Sequence, residues 1–159
     1  MTEQSSLPSE RIMAIASESP SPARVRLQPA VLAAVAAGGA LGAPVRYELG
    51  IAFPVIAGQF PVITFAINVS GAFVLGALLT LVLERWPPTR YARPFLAIGF
   101  LGAYTTFSTF AVESDLLAKD GHIGVTVLYD VLSLVAGLVA AFVGIVAVRA
   151  WPGFGRRTP

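Results

Sequence analysis

Four long stretches of this 159-residue chain contain no Asp, Glu, Lys or Arg. They run from Leu27 to Val45 (19 residues), Leu49 to Leu83 (35), Pro94 to Val112 (19) and Val131 to Val148 (18). A bilayer span takes ~20 mainly apolar residues, so three of these stretches are each one helix long. The longest exceeds one span, and Pro54, Gly58 and Pro61 punctuate it. It resolves into a connector from Gly50 to Gln59 and a span from Pro61 to Leu83. The fourth helix begins near Ile123, with Asp130 in its first turns. The pattern predicts an all-α membrane protein with four transmembrane helices and short connections. Only 13% of residues are charged and 55% are hydrophobic, where a soluble domain carries roughly 25% charged residues. A small water-soluble enzyme is therefore not expected. With no cysteine and one histidine, disulfides, thiolate nucleophiles and zinc sites drop out as well. Carboxylates or carbonyls could still hold a hard cation.

Residues 1–28 are rich in Ser and Pro and poor in apolar residues. Burial there cannot offset conformational entropy, so a disordered polar tail is expected. It lacks the basic start and apolar run of a secretory signal. Residues 29–150 form the membrane domain, and 151–159 a short basic tail. An even number of spans places both termini and the central loop on one side of the membrane. That side carries Arg11, Arg24, Arg26, Arg85, Arg90, Arg93, Arg149, Arg156 and Arg157, against Lys119 on the other. Short-loop basic residues set orientation, which predicts cytoplasmic termini for most copies in the cell membrane.

Polar residues inside the spans carry the functional signal. In helix one, Gly38 and Gly42 form a small-xxx-small pair suited to close helix approach. Arg46, near that helix's end, is either an interfacial anchor or an attractor of anions. Asn68 lies well inside helix two, where an unpaired amide costs several kcal/mol. It must face a neighbouring helix as glue or line a pore. Helix three packs Tyr104, Thr105, Thr106, Ser108 and Thr109, with Gly99 and Gly102, into eleven consecutive residues. Such hydroxyls either bond back to carbonyls one turn earlier or cap backbone freed by a break. A break would leave carbonyls able to bind a small hard cation. Phe107 and Phe110, three apart, either pack or turn positive ring edges toward an anion. Tyr129, Ser133, Gly137 and Ala141 form a stripe in helix four, a packing seam with the makings of a polar track.

Three fragments together resemble the fluoride channel family called Fluc or CrcB. They are Gly38 to Tyr47, Asn68 to Phe73, and Gly99 to Phe110 followed by Glu113. The resemblance covers about residues 30 to 148. It implies two chains inserted antiparallel, as a homodimer or a heterodimer of paralogous chains, enclosing two fluoride pores. It implies a structural, untransported sodium ion at the dimer centre, held by the carbonyls of Gly102 and Thr105 at a break in helix three. It assigns the pore to Asn68, Phe107, Phe110 and Arg46, with Ser108, Thr109, Tyr129 and Ser133 as polar track. The implied activity is passive export of fluoride from the cytoplasm, lowering its toxicity. With no buried acid or histidine expected deep in a span, passive conduction fits better than proton coupling. The one-sided loop charge leans toward a heterodimer. Two other classes compete: a small multidrug or cation transporter, which needs a carboxylate deep in helix one where only Glu48 offers, and a non-conducting assembly subunit.

Overall fold

A computed structural model of the chain describes residues 28–84 and 90–151. The expected N- and C-terminal tails and Arg85 fall outside the described residues, apart from Gln28 and Trp151. Among the described residues the regular secondary structure is all helical. Helix α1 spans Pro29–Ala52 and α2 spans Val62–Glu84. A π-helical segment, α3 (Pro94–Leu101), runs into one α turn, α4 (Gly102–Tyr104). Helices α5 (Phe107–Lys119) and α6 (Ile123–Arg149) follow. Among the described residues, four segments are long and apolar enough to cross a membrane: α1, α2, the stretch Pro94–Lys119, and α6.

The uncharged intervals therefore located the spans, although two run past their expected ends, the third continuing beyond Val112 to Lys119. Helix α1 continues three residues past Leu49 because Ile51 and Ala52 remain helix-compatible. Pro54 then ends it, since the residue before proline is pushed out of the helical region. The 53–61 connector turns at Gly58, whose φ of 76° suits glycine.

Two seams hold the bundle together. In the first, α1 meets α3 through glycines at nearly backbone-to-backbone distance. A Cβ at Gly38 would come within 2.1 Å of the Phe95 carbonyl oxygen, and one at Gly42 within 2.2 Å of the Phe100 oxygen. In the second, α2 meets α6 where Gly76 faces the Ala141 carbonyl and Gly144 faces that of Phe73, each 2.2 Å from an added Cβ. The expected stripe is thus half right. Ala141 is in the seam, but a Cβ at Gly137 would touch nothing within 4 Å, and Gly144 takes the place expected for it.

At one end of the bundle, Arg149 pairs with Glu84 at 2.6 Å and Arg90 bonds Gln28, tying the ends of α6 and α2 and the start of α1 to the central loop. Gly42→Ala should cost about 2–3 kcal/mol by overpacking a backbone contact that cannot shift. Gly50→Ala, with open space around it, should be neutral. Thermal unfolding of the two detergent-solubilised variants checks the contrast.

Candidate functional site

The third span breaks where its hydroxyls cluster. Thr105 (φ −76°, ψ 159°) and Thr106 (φ −146°, ψ 122°) are extended, with helix on either side. Thr106 caps α5: its Oγ1 accepts the Thr109 amide at 3.1 Å and donates to Thr109 Oγ1 at 3.0 Å. Ser108 Oγ lies 3.3 Å from the same oxygen. Asn68 on α2 holds the broken backbone from the side. Its Nδ2 donates to the Thr106 carbonyl and its Oδ1 accepts the Thr106 amide, both at 2.9 Å. This reciprocal pair fixes which end of the amide is which, and it makes Asn68 glue and groove wall at once. One Nδ2 hydrogen serves Thr106, and the second makes no hydrogen bond among the described residues.

These captures release carbonyls. The Gly102 oxygen would ordinarily accept the Thr106 amide, which Asn68 takes. The Thr105 oxygen would accept the Thr109 amide, which Thr106 Oγ1 takes. Arg46 Nη1 approaches the Thr105 oxygen at a long 3.5 Å, so this arginine faces the break across the α1 interface. Freed carbonyls are a donor set that suits a small hard cation, although two oxygens alone are too few to surround one. The Gly102 dihedrals are ordinary helical values (φ −64°, ψ −28°), so the break does not require glycine there. Gly102 is exposed and an added Cβ meets nothing within 4 Å, which leaves room for another backbone to approach.

A groove of about 330 Å³ opens beside the break. Asn68 reaches it from α2, Thr105 to Phe107 and Phe110 from the break and α5, and Asp130 and Ser133 from α6. The rings of Phe107 and Phe110 lie 5.9 Å apart, tilted by 39°. Phe107 is 80% exposed, so the groove is open on its side. Ser133, which lines the groove, has its Oγ buried without a hydrogen-bond partner among the described residues. Of the expected site residues, the groove gathers Asn68, Phe107, Phe110, Ser133 and Thr105. Ser108 and Thr109 serve the cap beside it. Tyr129 stands behind Phe110, ring to ring at 4.9 Å, and is fully buried.

Two part-buried carboxylates lie within the helices near the groove, toward the helix ends rather than deep in a span. Glu113 in α5 accepts from Thr64 Oγ1 and from the Tyr129 hydroxyl, both at 2.8 Å. Asp130 in α6 accepts from Ser114 Oγ at 2.8 Å. Each lies about 10 Å inside its helix end by the 1.5 Å rise per residue. Glu48 is exposed on α1, away from the groove. Sequence reasoning missed Thr106 as the hub of the break. The signal was present: a Thr three residues before Thr109 at the start of a helix is a capping pattern.

The comparisons agree with the motifs. The family model described as "CrcB-like protein, Camphor Resistance (CrcB)" matches residues 33–145. A Streptomyces avermitilis protein named "Fluoride-specific ion channel FluC 3" is 56% identical over 126 residues, 79% of this chain and 62% of that relative. The Nocardia farcinica "Fluoride-specific ion channel FluC 2" is 40% identical over 86% of this chain and 98% of its own length. The Chlorobium luteolum "Fluoride-specific ion channel FluC" is 40% identical over 74% of this chain and 91% of its own. With its glycine seam, clamped break and aromatic groove all inside the matched residues, the chain belongs to the CrcB family.

Proposed function

We propose that the chain is a passive, fluoride-selective channel that lets fluoride leave the cytoplasm and so lowers its toxicity. The observation that carries this reading is the groove at the break, where Asn68, Phe107, Phe110 and Ser133 converge from three helical segments. Fluoride is small and strongly hydrated, so a narrow route must replace water with close donors. The free Asn68 hydrogen and the Ser133 hydroxyl supply them, and the phenylalanine edges add weak positive potential. The relatives' names point to the same ion.

The groove's open side calls for a second chain. In this reading a copy or paralogue inserts in the opposite orientation, covering Phe107 and closing the route. Streptomyces avermitilis has two such relatives, named FluC 3 and FluC 2, so paired paralogues in one organism are available. At the centre, the Gly102 and Thr105 carbonyls of both chains would hold a sodium ion, which supplies a fixed positive charge. Thr105→Ser keeps the carbonyl and should conduct normally. Gly102→Val should leave the single chain folded but separate the pair, lowering flux at least tenfold in vesicles while cross-linking of the two chains falls.

Orientation follows from the loop charge: a terminal reporter on this chain should read almost wholly cytoplasmic. Equal signal on both faces would favour a homodimer of chains inserted both ways. The function itself is tested in a bacterium made fluoride-sensitive by loss of its own channel of this family. Expression of the chain, with its paralogue where one exists, should restore growth in fluoride. Continued sensitivity with both chains present in the membrane would contradict the reading.

A further inference from the structure

We propose that Asp130 is a brake on anion passage, a carboxylate in the groove wall that limits how readily the route fills. This rests on the reading of the groove as the fluoride route. Asp130 lines the same cavity as Asn68, Phe107, Phe110 and Ser133, and stands one turn before Ser133 on α6. Ser114 Oγ holds its Oδ1 at 2.8 Å. Among the described residues the ion pairs are Lys119 with Asp115 and Arg149 with Glu84, and Asp130 belongs to neither.

The groups brought near it from the packed helices do not neutralise it. Helix α5 presents Ser114, with Glu113 beside it bonded to Thr64 and Tyr129. Helix α2 presents Asn68, occupied by the Thr106 backbone. Arg46 is the basic residue described at the break, and it faces the Thr105 carbonyl from α1.

A purely structural role would need no charge. The Ser114 hydroxyl requires only an acceptor, which an Asn amide oxygen supplies in the same shape. The charge is what differs, and it acts on whatever moves through the groove. An ionised carboxylate beside an anion route raises the free energy of an anion there, in proportion to charge and inverse distance. Its effect is greatest when the groove is mostly empty, because it opposes filling more than departure. Asp130 therefore raises the fluoride concentration needed for half-maximal flux.

The test is fluoride flux in vesicles containing the complete channel, measured across fluoride concentrations. Asp130→Asn should speed flux about tenfold at low fluoride, with the gap narrowing as fluoride saturates the route. Asp130→Ser gives a second uncharged variant with a different shape and should behave the same way. Asp130→Glu keeps the charge and should remain as slow as the wild type. Wild-type kinetics in both uncharged variants, or a Glu variant as fast as Asn, would overturn the brake while leaving the channel reading intact. A wild type that passes no fluoride would remove the channel reading, and the brake with it.

Discussion

Asn68→Asp should reduce fluoride flux by about a hundredfold or more. The wild-type amide satisfies both backbone groups of Thr106, donating to its carbonyl and accepting from its amide. An aspartate retains the second bond and loses the first, leaving a partly buried carbonyl without its donor at a cost of about 1–3 kcal/mol. It also sets a negative charge in the groove wall. Two unit charges roughly 5 Å apart at an effective dielectric near 20 repel by about 3 kcal/mol, a factor of over a hundred in the occupancy of an anion. The two effects separate by measurement: helicity and assembly report the first, vesicle flux the second. A folded, assembled variant that conducts at the wild-type rate would take Asn68 out of the route.

Phe107→Ile and Phe110→Ile should each lower flux at least tenfold, with unequal effects on stability. Isoleucine keeps most of the apolar volume but removes the ring's positive edge. Phe110 packs against both Tyr129 and Phe107, at 4.9 Å and 5.9 Å, so its loss should cost about 1 kcal/mol of aromatic pairing. Phe107 is 80% exposed in the single chain and meets only the Phe110 ring, so its replacement should cost that chain less than the loss of Phe110 does. A flux loss that tracked stability across the pair would make both residues packing elements. Equal flux losses with unequal stability losses would make them part of the route.

How much was legible in advance differs by physical cause. Span positions were, because a missing charge is a property of each residue separately and the bilayer imposes its length on every helix. The break was legible in outline, since glycines and hydroxyls at mid-membrane depth have few other uses. Its clamp was not: the capping pattern of Thr106 with Thr109 is local, but that Asn68 grips the Thr106 backbone and not that of Thr105 depends on how α2 sits beside the break. Gly137 and Gly144 are likewise equivalent in sequence, and the rotation of α6 against α2 decides which one meets Phe73. Glu113 stood in a recognised motif, yet its bonds to Thr64 and Tyr129 join residues 49 and 16 positions apart. Asp130 was visible as a charge near a helix start. That it faces the groove depends on α5 and α6 lying side by side.

The central claim is that this chain forms a selective route for fluoride. Its most direct test is ion release from vesicles reconstituted with the purified chain, alone and together with an oppositely inserting paralogue. Vesicles loaded with fluoride should empty rapidly in at least one of the two preparations, while matched vesicles loaded with chloride should retain their contents. Fluoride retained in both preparations, or chloride released as fast as fluoride, would contradict the account.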